Sequence, residues 1–78
     1  MAVLLLFGPA RQAAGCRRLR IAGQSAGEVV ASACERFGER FSEVVARSAI
    51  WVNGEPADGS SKVEPDDEVA VVPPVSGG

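Results

Sequence analysis

The sequence predicts an α+β domain: a mixed sheet of four to five strands, one main helix and a short second helix. Three observations carry that expectation. Apolar runs stand near both ends of the chain, at Ala2–Phe7 and Val69–Val72. One long stretch, Ser25–Phe37, has helical periodicity and an N-terminal capping pattern. Asn53-Gly54 follows a short apolar run and is the strongest two-residue hairpin signal in the chain.

Ala2–Phe7 is apolar at every position, the pattern of a strand covered on both faces, and Gly8-Pro9 ends it. Ala10–Gly15 is a connection with room for a helical turn. Arg17–Ala22 alternates: Leu19 and Ile21 face one way, Arg18 and Arg20 the other. That is a half-buried strand and the expected hairpin partner of the first. In Ser25-Ala26-Gly27-Glu28 the Ser25 hydroxyl is placed to accept from the Glu28 N–H, and the Glu28 carboxylate to reach back. Losing such a cap costs about 1 kcal/mol. Val29, Val30, Ala33, Cys34 and Phe37 form one apolar helix face, and Gly38 is the stop.

Glu39–Arg47 reads as the shorter helix, with Phe41, Val44 and Val45 on one face. Ala49–Val52 is a strand; Glu55–Ser61 is turn-rich with a short edge strand in it. Around Pro65 stand Glu64, Asp66, Asp67 and Glu68, which lack the spaced ligand loop of a calcium site and read as a solvated turn. Val69–Val72 is the last strand. Because both are wholly apolar, the first and last strands are expected side by side at the sheet centre. One main helix covers only one sheet face, so the surplus apolarity marks a docking surface, with Phe7, Val69 and Val71 as its expected residues. Cover by the short helix and loops is the alternative.

At 78 residues the chain fits one small domain, expected as a folded unit over 1–72 and an extended tail over 73–78. An apolar content of 46% suits a packed core and not a disordered chain. A net charge of −2 argues against nucleic acid or an anionic membrane as the main partner. Arg17, Arg18 and Arg20 form the basic cluster, read as a solvated strand face. There is no histidine, and the two cysteines, Cys16 and Cys34, lack Cys-x-x-Cys spacing, so neither a metal site nor a redox motif is expected. The spacing leaves a disulfide open; two reduced thiols, with Cys34 in the core, is the reading adopted, and with it a cytoplasmic location. The apolar start is too short for a signal-peptide core, and no stretch reaches the about 20 apolar residues of a membrane span.

The tail is the distinctive part. Pro73 and Pro74 have no N–H to donate, so they end the ladder and hold the chain extended. Val75 and Ser76 follow, then Gly77 and Gly78, which lack a Cβ and suit a narrow channel.

Leu5-Leu6-Phe7 with Arg11 and Gly15, Val52-Asn53-Gly54-Glu55, and Asp67 through Gly78 together resemble the ubiquitin-like sulfur carriers of the MoaD/ThiS type. The Pro-Pro-Val-Ser-Gly-Gly ending is closest to the small subunits of molybdopterin synthase. One departure is visible: the family commonly has glycine where Asp66 stands, so Asp66 must adopt positive φ if the turn is kept. The resemblance implies a β-grasp fold and a non-catalytic subunit. It implies that an ATP-dependent, E1-like adenylyltransferase converts the Gly78 carboxylate to an acyl-adenylate and that a sulfur donor protein supplies the sulfur. The resulting thiocarboxylate attacks a cyclic pterin precursor in the synthase large subunit, expected as a heterotetramer of two small and two large subunits. No cofactor is held permanently; ATP belongs to the adenylyltransferase. Alternatives are a carrier for thiazole or cysteine synthesis, a protein modifier, and an interaction module with an unreactive tail.

The tail reading predicts that Gly77→Val blocks activation or sulfur transfer while leaving urea stability unchanged. Normal thiocarboxylate accumulation and cofactor synthesis in that variant would overturn the steric account.

Overall fold

A computed structural model describes residues 1–74; Val75, Ser76, Gly77 and Gly78 lie outside the described residues. The elements are β1 (Ala2–Leu6), α1 (Gly8–Ala14), β2 (Arg18–Ile21), α2 (Ala26–Phe37), α3 (Glu39–Ala46), β3 (Ala49–Val52), β4 (Glu55–Ala57) and β5 (Glu68–Val72). The strands form one mixed sheet in the order β2-β1-β5-β3-β4. The strands that carry the two apolar runs, β1 and β5, are neighbours near its middle, and their pairing is parallel, Leu4 beside Val69 and Leu6 beside Val71. The other pairings, β1 with β2, β3 with β5 and β3 with β4, are antiparallel.

The main core lies on one side of the sheet. Leu4, Leu6, Val69 and Val71 from the strands meet Val29 and Ala33 of α2 and Phe41 of α3, and all seven are fully buried to within 1%. Fully burying one such large side chain contributes about 1.5–3 kcal/mol. Phe37 packs its ring on Phe41 at 5.1 Å between centroids. The described residues include no buried polar or charged side chain, so this core is specified by shape and apolarity.

The connection after β1 forms a complete short helix, α1, where a single turn was expected. Proline in the first helical turn forfeits no intrahelical bond, and Pro9 occupies that place. Gly15, at φ 77°, ends α1 with its N–H donating to the Arg11 carbonyl at 2.9 Å. The helix packs against α3.

Ser25 caps α2 as expected, its hydroxyl accepting the Glu28 N–H at 3.1 Å. The Glu28 carboxylate reaches back to the N–H of Gln24, at 3.0 Å. Two further N–H groups of the first turn, those of Ala26 and Gly27, donate to the carbonyls of Ser61 and Gly59, each at 2.9 Å. The loop after β4 therefore completes the cap, satisfying donors the helix cannot satisfy itself. Gly27 permits this approach, because a Cβ there would lie 2.8 Å from the Gly59 oxygen.

The acidic run builds the turn into β5. Asp66 stands at φ 70°, the positive φ expected of it if the turn is kept. Arg20 donates to its carboxylate at 2.7 Å, joining the turn to β2. Asp67 accepts the Glu64 N–H at 2.8 Å, and the Asn53 side-chain oxygen accepts the Glu68 N–H at 2.9 Å. Among the described residues, no group of three or more His, Cys, Asp or Glu side chains is placed to hold a metal ion.

These contacts make an acid-sensitive turn. The hydrogen bond and charge of Arg20 hold the Asp66 carboxyl below its ordinary value of 3.8, and the Glu64 N–H does the same for Asp67. A depressed folded-state pKa stabilises in full above the unfolded value and is lost as pH falls through the folded one. Urea midpoints are expected to hold steady between about pH 5 and 8 and to fall below about pH 4, less steeply in Asp66→Asn. A wild-type midpoint unchanged at about pH 3 would contradict this.

Candidate docking face and tail base

Pairing partners in a sheet share a face, so the register sorts the side chains. Ala2, Leu4, Leu6, Leu19, Ile21, Ile50, Val52, Val69 and Val71 face the helices. On the other face Leu5 lies between Arg18 and Ala70, Trp51 lies between Ala70 and Pro56, and Val72 pairs with Ala49. Leu5, Trp51, Ala70 and Val72 are each half-buried and none belongs to the core cluster. Val3 shares this face but sits between Arg20 and Glu68, and its exposure of 3% fits cover by their long side chains. The result is an apolar strip on a sheet face that no described helix covers, rimmed by charge.

The expected docking residues divide. Phe7 is 47% exposed and follows Leu5 by two positions, which puts it at the end of the strip. Val69 and Val71 are fully buried against the helices, so their assignment to a docking surface is corrected. Alternation decides it: Val69 and Val71 share a face with Ile50 and Val52, while Ala70 and Val72 share one with Glu68 and Trp51. The signal was available in Glu68, whose charge marks the solvent side of β5 by its period of two. Trp51, Leu5, Ala70 and Val72 are the apolar residues that the sequence reading did not place on this face.

The tail starts at the same end of the sheet. β5 runs parallel to β1, so Val72 and Pro73 emerge beside Phe7 and Gly8. Pro73 is half-buried and close to Gly8, where a Cβ would lie 3.4 Å from its ring. Pro74 is exposed. Pro73 and Pro74 form one wall of a cleft of about 380 Å³ with Pro9, Val44, Arg40 and Arg47. The tail base is thus seated against α1 and α3. The remaining expected tail positions, Val75, Ser76, Gly77 and Gly78, lie outside the described residues. Cys16 and Cys34 are free thiols, both half-buried against the core.

A five-stranded mixed sheet with a parallel central pair and helices on one face is the β-grasp of ubiquitin-like proteins, and solved structures of that class superpose on it. The chain belongs to the ThiS family, whose model matches residues 4–78, and is a ubiquitin-like sulfur carrier of the ThiS/MoaD type. It is similar to SAMP1 from Haloferax volcanii, at 26% identity and TM-score 0.79, over 99% of this chain and 98% of that one. It is also similar to a putative molybdopterin converting factor subunit 1 from Pyrococcus furiosus, at 25% identity and TM-score 0.82, over 95% and 97%. The fold recurs in the complex of molybdopterin-converting factor subunits 1 and 2 from Helicobacter pylori, at 23% identity and TM-score 0.72, over 99% and 97%. No curated protein matches the chain.

The two faces predict opposite responses to truncation. Leu4→Ala is expected to cost about 2–5 kcal/mol in urea unfolding. Leu5→Ser and Trp51→Ser, on the open face, are expected to cost under about 1.5 kcal/mol each. Equal losses at positions 4 and 5 would show the open face to be part of the stabilising core.

Proposed function

We propose that this chain is the sulfur-carrier subunit of a molybdopterin synthase. One observation carries the reading: a family match that runs through residue 78, on a domain whose central strand leads directly into Pro73-Pro74 beside an uncovered apolar face. The Gly78 α-carboxylate is ionised at neutral pH and is a poor acyl electrophile. An adenylyltransferase makes it reactive by transferring AMP from ATP and releasing pyrophosphate. Sulfide displaces AMP directly, or a donor persulfide displaces it to form an acyl disulfide that a second donor thiol cleaves, leaving a disulfide on the donor. Either route leaves a thiocarboxylate that attacks a cyclic pterin precursor in the large subunit. ATP is used on the partner, and the acids and bases of catalysis belong to the partners, so the chain is a donor subunit and not an enzyme. The site of action under this reading is the cytoplasm.

The domain's roles follow from its physics. Leu5, Phe7, Trp51 and Val72 dock on each partner in turn, burying the apolar strip. Pro73 and Pro74 keep the tail extended and reduce the ordering entropy of insertion. Gly77 and Gly78 pass through narrow channels that a Cβ would obstruct. The large subunit pairs with the carrier, as two small and two large chains under this reading; pairing with a partner subunit is supported by the fold shared with the subunit 1–2 complex of Helicobacter pylori.

A second reading, a protein modifier joined through Gly78 to lysines, is supported by the likeness to SAMP1. Intact mass spectrometry after incubation with the adenylyltransferase, ATP and a sulfur donor separates the two. Exchange of one oxygen for sulfur at Gly78, followed by conversion of the pterin precursor when the large subunit is added, is the expected result. Thiocarboxylate formation without pterin conversion would reject the molybdopterin pathway, and Gly78-dependent protein conjugates in its place would favour the modifier.

A further inference from the structure

Three arginines crowd one cleft at the end of the molecule from which the tail leaves. Arg11 of α1 and Arg17 and Arg18 at the start of β2 line a depression of about 420 Å³, with Leu5 and Phe7 on its apolar side. All three arginines are exposed, and among the described residues no carboxylate lines the cleft. Among the described residues the ion pairs are Arg20–Asp66 and Lys62–Glu64, and neither involves these three. The chain is nonetheless acidic overall, at −2. Its acids Glu64, Asp66, Asp67 and Glu68 gather at the opposite end of β1 and β5, where Asp66 faces Arg20. The rise of β5, about 3.3 Å per residue, puts about 13 Å between the two ends of that strand. That exceeds the screening length of about 10 Å at 0.1 M salt, so each pole acts on a partner nearly by itself.

We infer that Arg11, Arg17 and Arg18 receive an acidic segment of the adenylyltransferase, which orients the carrier so that its tail arrives first. The inference rests on the carrier reading above and names the charge of the partner surface that the reading leaves open. The surroundings favour a protein over a small anion. The guanidiniums are exposed, the described residues include no buried polar side chain, and the cleft is continuous with the apolar strip through Leu5 and Phe7. An apolar centre with an arginine rim is the composition of a protein interface, and guanidinium binds carboxylate in a bidentate fork. Because the whole chain repels an acidic surface, the local cluster decides which end approaches it. Arg17 and Arg18, which the sequence presents as an ordinary solvated strand face, become specificity residues for the encounter.

The test is the rate of ATP-dependent activation of the full chain by its adenylyltransferase, measured against carrier concentration at several salt concentrations. Wild-type kcat/KM is expected to fall about tenfold between about 20 and about 200 mM salt, with kcat unchanged. The double variant Arg17→Glu, Arg18→Glu is expected to lose about 10–100-fold in kcat/KM at low salt, keep kcat, and show no further fall as salt is raised. Arg36→Glu, a single charge reversal on α2, is expected to stay within about twofold of wild type. If the double variant behaves like Arg36→Glu, the inference fails while the carrier reading stands. If inorganic phosphate inhibits more than sodium chloride at matched ionic strength, the cleft is a small-anion site and the inference also fails. If wild type is not activated at any salt concentration, the carrier reading fails and takes the inference with it.

Discussion

The parallel pairing of β1 with β5 is the constraint on which the other features depend. It joins residues near the two ends of the described chain and puts the two most apolar strands next to each other. In this register Leu4, Leu6, Val69 and Val71 form one surface, and Val29, Ala33 and Phe41 close over it. A shift of one residue would turn that surface away from the helices, so burial enforces the register. The same pairing sends β5 out of the sheet beside Phe7 and Gly8, which fixes where Pro73 begins. Core formation and tail placement are thus one structural event.

A sheet with helices on one side has an unequal pair of faces. Here the helix side holds no buried polar or charged side chain among the described residues. The other side keeps Leu5, Trp51, Ala70 and Val72 half-buried, which leaves an apolar strip in contact with solvent. Polar contacts are kept for the ends of elements. The loop carbonyls of Gly59 and Ser61 complete the α2 cap, Arg20 ties the Asp66 turn to β2, and Asn53 clasps both backbone groups of Glu68. These contacts hold the sheet frame still while its apolar face remains free.

Much of this was legible in the residues. The continuous apolarity of the outermost strands in sequence indicated their central pairing. Ser25 and Glu28 marked the helix start, and Asn53-Gly54 marked the hairpin, with φ of 50° and 81° at its two positions. What was hidden depended on parity or on tertiary cover. Val69 and Val71 look equivalent to Ala70 and Val72 until Glu68 is used to set the alternation. Pro9 reads as a breaker, yet in a first turn it costs the helix nothing, and α3 supplies the surface that makes α1 worth forming. Arg17 and Arg18 look like any solvated strand edge, and only the fold brings Arg11 and Phe7 up to them. The family resemblance, in turn, rested on three stretches across the chain, the most specific being an ending whose implied chemistry no periodicity reveals.

The central claim is that the two sheet faces have different work: one closes the core and the other receives the partner. The chain has a single tryptophan, Trp51, and it lies on the open face. Incorporating 5-fluorotryptophan places one fluorine there, visible against any unlabelled partner. On titration with the adenylyltransferase, the fluorine resonance is predicted to shift or broaden and to saturate at one carrier per active site. A resonance unmoved while Gly78 is being adenylated would place the docking surface elsewhere and contradict the account.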